Sequence, residues 1–399
     1  MSTTSVSETL EGTPIERVSR LEDVIRQGGD EAQQLRHLPR DVVDALIDAG
    51  LFRFTIPREL GGEDASIRET IEVVAAIAAI DASVGWNVMI GSEINAMAAG
   101  GMPIDLAKEV YLDNPRVIMC GGGGPGTTPA RAVKEDGGYR VWAQSSFISG
   151  CHNAEWCFQS AALYDGDDPI LSSQGQPVVR TFFIHKSQFE ILDTWDVAGI
   201  RGSGSHDVKV DGVLVGEKWE PVQLMLPSLY ANPVFRVPIP ARLAYNKAAV
   251  AIGVARGAVD AFVELASTKT PFLTGSLLKD RPVAQYRLGE AEATLRAARA
   301  LLMEAMDGLV DSLSNGEAEP SLEATTSARL ACTFAANASM HVTDVMHNTA
   351  GTSAGYMANP LERRLRDAHA CASHRWVAHP LYEEMGRILM GERPSMAFF

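Results

Sequence analysis

The chain has 399 residues, 46% of them hydrophobic, which is enough to bury a large core in two or three structural units and excludes a disordered or fibrous chain. With 50 acidic against 35 basic residues the net charge is -15, a field that repels nucleic acid and anionic membranes and favours small-molecule chemistry. No stretch has the roughly 18 uninterrupted apolar residues that span a bilayer, Met1 to Glu11 resembles no signal peptide, and the chain reads as cytoplasmic.

Up to about residue 115 the text is helical. Val42, Val43, Leu46 and Ile47 make one apolar face over Pro39 to Ala49, with Gly50 as the stop. A second helix fits Ile67 to Ile80, Asp81 and Ser83 supply a fresh N-cap before Val84 to Ala99, and Pro103 opens a further short helix. From Val117 the pattern changes to β-rich runs, Tyr139 to Trp142, Val178 to Ile184 and Val208 to Val215. Turns such as Asp136-Gly137-Gly138 and Asp211-Gly212 separate them. After Pro240 the helical period returns over Ala244 to Ala266, Val283 to Leu313 and Leu322 to Asn348. In the second of these, Ala291, Ala298 and Ala305 alternate with Leu295, Leu302 and Leu309 at heptad spacing, the seam of an antiparallel bundle. The expected fold is therefore mainly α with a central antiparallel β domain: a helical domain over 1–116, a β domain over 117–228 and a helical bundle over 229–399.

Few motifs carry chemistry by themselves. Gly121, Gly123 and Gly126 satisfy GxGxxG, but Thr127-Thr128-Pro129 and then a strand follow, so a dinucleotide-binding turn fails its context. The glycines form either a plain turn or a loop that lets backbone amides approach a ligand. Ser145 to Trp156 sets hydroxyls and Gly150 at the end of a β run, and Arg201-Gly202-Ser203-Gly204-Ser205 sets two hydroxyls beside an arginine. On spacing alone the first reads as an ordinary serine-capped turn, and the second suits an ordinary surface turn as well as a phosphate cradle. Arg363 to His374 concentrates titratable groups. If helical, it places Asp367 and His374 on one face, and its arginines read as a solvated helix end. His37, His185, His206, His341 and His347 sit singly and read as structural. The five cysteines are odd in number and lack CxxC pairing, so neither a disulfide framework nor a metal site is expected.

Taken together, the segments resemble the acyl-CoA dehydrogenase superfamily over nearly the whole chain. Gly50-Leu51-Phe52 through Ile56-Pro57-Arg58-Glu59-Leu60-Gly61-Gly62 looks like its N-terminal signature, Phe147-Ile148-Ser149 stands where the dehydrogenases carry Trp-Ile-Thr, and Trp195 to Val210 looks like the strand and turn closing the β domain. The resemblance implies an N-terminal helical domain, a barrel or sandwich in the middle and a C-terminal four-helix bundle. A dehydrogenase needs a carboxylate base. No Asp or Glu lies between Glu220 and Asp260, and His374 and Arg375 stand where the dehydrogenases often have Tyr and Glu. Arg366-Asp367 followed by His374, and Ser149 to Trp156, resemble instead the two-component flavin monooxygenases.

That branch implies reduced flavin (FADH2 or FMNH2) and O2, a C4a-hydroperoxyflavin as oxygen carrier, and hydroxylation of an aromatic or other electron-rich small molecule such as a phenol or indole. It also implies a separate NAD(P)H:flavin reductase as partner and a homo-oligomer, a tetramer, whose C-terminal bundle completes the flavin site. Ser149 and His374, with Asp367, become the expected catalytic residues. Ser149, Gly150, Arg201, Ser203, Ser205 and Arg366 become the expected cofactor contacts, and Trp86, Ser92, Glu93 and Gly123 the substrate-pocket lining. Some members carry a substrate-facing histidine after the Gly-Trp, where Gly85-Trp86 here leads to Ser92 and Glu93. Two rival readings are a dehydrogenase whose base is displaced to Glu383 or Glu384, and an inactive scaffold that keeps the fold for oligomerisation.

Overall fold

In the computed structural model, residues 11–122, 124–125, 129–219, 230, 232–314 and 319–395 are described. The expected boundary at 228/229 and Gly123 lie outside them. Six helices open the chain: α1 (Pro14–Arg20), α2 (Glu22–Leu35), α3 (Arg40–Asp48), α4 (Ile67–Ile80), α5 (Ala82–Gly101) and α6 (Ile104–Leu112). Helix α4 starts with a capping box in which Ser66 and Glu69 satisfy each other's backbone amides. Helix α5 starts on Asp81, whose side chain accepts from the Val84 amide at 3.0 Å. Ser83 is not the cap: its Oγ accepts instead from the Gly202 amide.

Strands β1 (Met119–Gly121), β2 (Gly124–Pro125), β3 (Arg131–Glu135), β4 (Gly138–Ser146), β5 (Trp156–Asp165), β6 (Asp168–Pro169), β7 (Val179–His185), β8 (Glu190–Leu192) and β9 (Asp207–Gly216) form one sheet with the path β1-β5-β3-β4-β9-β8. Pairing is mostly antiparallel, with one refinement to the expectation: β5 runs parallel to both β1 and β3. The chain leaves β4 through the turn at 147–155 and re-enters beside β3, so that turn, rather than a hairpin, joins β4 to β5. The first half of central β5 is buried at consecutive positions, Cys157 to Gln159, and so on both faces, which breaks the alternation expected of a half-covered strand.

The chain then returns to helix in α7 (Ile239–Thr268), α8 (Pro282–Ser314), α9 (Leu322–Ala350), α10 (Pro360–Ala372) and α11 (Leu381–Leu389). The alanine–leucine seam of α8 is buried throughout, from Ala291 to Leu309, as its spacing requires. Helix α7 is the hub, packing on α4, α9 and α10, and its small residues permit the approach to α4. A Cβ on Gly253 would stand 2.3 Å from the Ala75 carbonyl oxygen. Gly253→Ala is therefore expected to lower stability by about 1–3 kcal/mol through overpacking. Gly289→Ala on α8, where a Cβ meets nothing within 4 Å, is expected to leave it unchanged or raise it by up to about 1 kcal/mol. Urea midpoints of the two variants check the contrast.

Candidate functional site

Three elements converge on Ser149. Helix α5 brings Trp86, whose Nε1 donates to Ser149 Oγ at 3.0 Å. The turn after β4 carries Ser149 itself, and the 201–205 turn before β9 carries Ser203 and Ser205. Ser149 Oγ shares a hydrogen bond with Ser205 Oγ at 2.7 Å, and Ser205 Oγ another with Ser203 Oγ at 2.7 Å. All four side chains are buried. Two of the three hydroxyl protons are spent within the chain and the indole fills one acceptor position of Ser149, so one proton and three lone pairs remain for a ligand.

Backbone contacts fix the two turns against each other. The Gly150 amide donates to the Ser203 carbonyl at 2.9 Å and the Ile148 amide to the His206 carbonyl at 3.0 Å. Asn87 Nδ2 bridges the Ser83 and Gly202 carbonyls at 2.9 and 3.0 Å, tying the 201–205 turn to α5. Gly202 is required there, since a Cβ would stand 2.5 Å from Ala32 Cβ. Ile200 and Phe147 both hold left-handed backbone, at φ 46° and 64°, a conformation that costs an ordinary side chain free energy and clusters at functional sites.

His374 closes the corner. Its ring meets Trp86 edge-on with centroids 5.6 Å apart. It does not share a helical face with Asp367, because α10 ends at Ala372 and His374 lies in the turn beyond. Nδ1 accepts the Trp376 amide at 3.4 Å, which places the neutral ring's proton on Nε2. Burial, with positive charge on Lys247 and Arg375, pushes the imidazole down to about 3. In the protein alone the ring therefore stays neutral.

Asp367 does a different job. It is buried, and its Oδ1 accepts the Ile200 amide at 2.6 Å, holding the left-handed residue that starts the serine turn. Burial and the neighbouring Asp81 raise its carboxyl to about 6, against the Ile200 amide and the Arg363 and Arg364 cations, which lower it. The arginines of α10 are not all solvated. Arg364 is buried and donates to the Ala78, Ala79 and Ile80 carbonyls, capping the end of α4, while Arg363 pairs with buried Asp81 at 2.8 Å.

Other expected contacts are already engaged within the chain. Arg201 donates to the Gln33 and Val197 carbonyls and pairs with Asp196, and Arg366 is held by Glu362 and the Ala198 carbonyl. Their guanidinium groups therefore buttress the 196–201 loop. Ser92 is buried, with its hydroxyl on the Met89 carbonyl, and Glu93 is paired with Lys247. Of the two displaced-base candidates, Glu383 is exposed, and Glu384 accepts from Ser395 and pairs with Arg387.

A cleft opens at Ser149, lined by Phe52, Asn87, Ile90, Gly91, Gly150 and Asn153 among others. Asn153 Nδ2 beside it, and Trp195 Nε1 against the exposed ring of Phe147, are buried donors that meet no acceptor among the described residues. Unmet donors beside a hydroxyl chain with open acceptor positions suit a ligand with a polar edge, and a flavin ring has one. Sequence reading missed one cluster: His37 stacks on His152 at 4.3 Å, and His152 meets His206 at 5.0 Å. The first and last members stand far apart in the chain, so each looked solitary. Burial, then the other two rings, pushes His152 down to about 4, and among the described residues no cluster fit to hold a metal occurs.

The chain thus sets helices around a curled sheet, with a serine on the turn after the fourth strand and a neutral histidine in the turn after α10. Residues 19–104 match the acyl-CoA dehydrogenase N-terminal domain and residues 245–379 the acyl-CoA dehydrogenase C-terminal domain. The chain belongs to the acyl-CoA dehydrogenase superfamily, within its flavin-dependent monooxygenase branch. It is 31% identical over 362 residues to indole-3-acetate monooxygenase of Acinetobacter baumannii, covering 91% of this chain and 90% of that one. It is 27% identical to the oxygenase component of an FADH2-dependent resorcinol hydroxylase of a Rhizobium species, over 95% of this chain and 94% of that one. Among solved structures, 3-HSA hydroxylase from Rhodococcus sp. RHA1 superposes with a TM-score of 0.85 at 26% identity, over 98% of this chain and 100% of that one.

The raised carboxyl of Asp367 makes a pH signature. A group bound to its proton more tightly in the folded state contributes stability that is full below the unfolded value, 3.8, and lost as pH rises through about 6. The difference in unfolding free energy between the native chain and Asp367→Asn is expected to fall between about pH 4 and 6 and stay level above. A difference that rises over that window in urea titrations contradicts the assignment.

Proposed function

We propose that this chain is the oxygenase component of a two-component monooxygenase, taking reduced flavin from a separate NAD(P)H:flavin reductase and hydroxylating an aromatic or other electron-rich small molecule such as a phenol or indole. The observation that carries the reading is the buried Trp86–Ser149–Ser205–Ser203 chain facing His374, with no carboxylate among the polar groups found to touch His374 or the hydroxyls. A dehydrogenase needs a base strong enough to remove a carbon-bound proton, and a neutral imidazole held down to about 3 is too weak for that work. The oxygenases named above, which align over nine-tenths of the chain or more, support the same reading.

Reduced flavin, FADH2 or FMNH2, would supply the electrons that activate O2 for insertion of one oxygen atom. Ser149 Oγ would accept a hydrogen bond from the ring N–H that must keep its proton, with Trp86 fixing the hydroxyl and Ser205 and Ser203 continuing the hydrogen-bonded chain behind it. Ser149 and Gly150, which line the cleft, would contact the cofactor with Ser203 and Ser205 buried behind them, whereas Arg201, Arg366 and Asp367 shape the turn that carries those two serines. His374 would accept a hydrogen bond or proton from the substrate once binding offsets the field of Lys247. Trp86 and the apolar lining exclude water from that corner.

A homo-oligomer, a tetramer, belongs to the same reading. Phe272 and Leu273 are each 90% exposed on one loop, a surface that apolar side chains leave when subunits meet. Within the described residues no helix is long and apolar enough to cross a membrane.

Rapid mixing of the protein and reduced flavin with oxygenated buffer, with phenols and indoles supplied, tests the reading by product formed and H2O2 released. Ser149→Ala and His374→Ala are expected to fold, to lower hydroxylation by about 100-fold or more and to raise H2O2. Variants that hydroxylate at the native rate contradict the roles, and reoxidation that is unaltered by the native protein contradicts the function.

A further inference from the structure

One polar group of α5 is explained neither by the hydroxyl chain nor by His374. Glu93 lies seven residues beyond Trp86, two helical turns along the same face, and its side chain is fully buried. Its Oε1 accepts from Lys247 Nζ at 2.5 Å and its Oε2 from Asn246 Nδ2 at 2.9 Å, both residues on α7. Lys247 is 2% exposed, and Glu93 is the one acceptor its ammonium meets among the described residues, which leaves two of its three N–H groups to spare. Asn246 Oδ1 is buried without a donor. Lys247 also stands close enough to His374 to act on its ring, so the pair borders the corner where Trp86 meets His374. A buried ion pair is a poor filler, since well-packed apolar residues serve stability as well or better, and this one keeps unused hydrogen-bonding capacity.

We propose that Glu93 is a built-in counter-ion for Lys247, which makes the substrate pocket select an uncharged phenolic or indolic ring and reject an aromatic carboxylate. This rests on the aromatic-hydroxylase reading above. A substrate carboxylate entering here would share one cation with Glu93, setting two anions together where charge is weakly screened. A neutral hydroxyl can instead accept from the spare donors of Lys247, and a hydroxyl or ring N–H can donate to the open Oδ1 of Asn246, without changing the net charge.

Calorimetric titration of the intact protein with indole-3-acetamide and indole-3-acetate, alike in shape and different in charge, tests this directly. The native protein is expected to bind the amide about tenfold or more tightly than the acid, and Glu93→Gln to reverse the preference by freeing Lys247. Lys247→Met, the reciprocal change, leaves Glu93 as the lone charge and is expected to gain affinity for tryptamine. Acid bound as tightly as amide by the native protein overturns the proposal even when neither variant folds, as does a Glu93→Gln ratio equal to the native one. Failure of both indoles to bind also overturns it. Reoxidation of reduced flavin by the protein without any aromatic present then reads separately whether the oxygenase function itself stands.

Discussion

The hydrogen bond from the Trp86 indole to the Ser149 hydroxyl joins the helical and β parts of the molecule at the point where chemistry is expected. A buried N–H left unpaired costs about 1–3 kcal/mol, so the bond constrains where the turn after β4 can lie relative to α5. Everything else near the cleft is arranged so that this contact can form. Asn87 and Ser83, one turn and less from Trp86, bind the 201–205 turn. Asp367 then pins the left-handed Ile200 that begins that turn, and Asp81 both caps α5 and pairs with Arg363 beside Asp367. One helix start thus positions the serine, the serine turn and the helix that leads to the histidine.

This dependence shows what could be read from the residues. Helix α4 was legible to the residue, Ile67 to Ile80, because its apolar period, its capping box and Asp81 beyond it agree. The alanine–leucine seam of α8 was legible for the same reason. Strand β5 was not, because its first half is covered on both faces and loses the alternation on which strand reading rests. Ser149 and His374 were found by resemblance, since a serine in a turn and a histidine after an arginine-rich helix have no distinctive spacing. The Lys247–Glu93 pair was out of reach, as its partners stand 154 residues apart and only packing of α5 against α7 brings them together. The same holds for the three stacked histidines, each of which looks solitary in the chain.

Roles assigned from the sequence also shifted in a consistent direction. Arg201, Arg366 and Asp367 were expected at the cofactor or in catalysis, yet each is tied to backbone of the 196–201 loop or just beside it. Charged groups inside a fold are held by the groups they satisfy and are costly to recruit for a ligand, although Asp367 keeps one buried oxygen, Oδ2, that meets no donor among the described residues. Groups with unspent capacity are the better candidates: the hydroxyl chain, Asn153, Trp195, Lys247 and Asn246.

A common electrostatic theme connects these groups. The imidazole of His374 is held neutral by burial and nearby cations, the carboxyl of Asp367 is raised by burial and by Asp81, and Lys247 is compensated by Glu93. Two of these devices, the neutral imidazole and the ion pair, reduce the net charge that this interior presents at neutral pH, whereas Asp367, raised only to about 6, is ionised there beside Arg363 and Arg364. A low-charge pocket holds water weakly, and excluding water is what protects a reactive oxygen species from proton transfer before it meets its substrate. A dehydrogenase site has the opposite need, an ionised carboxylate aimed at an acidic carbon, and here the helix that offers one option for it runs without Asp or Glu from its start to Asp260. The substitution that separates the two chemistries is therefore larger than one residue: it is the removal of a charge from the pocket together with the counter-ions that keep the remaining groups neutral.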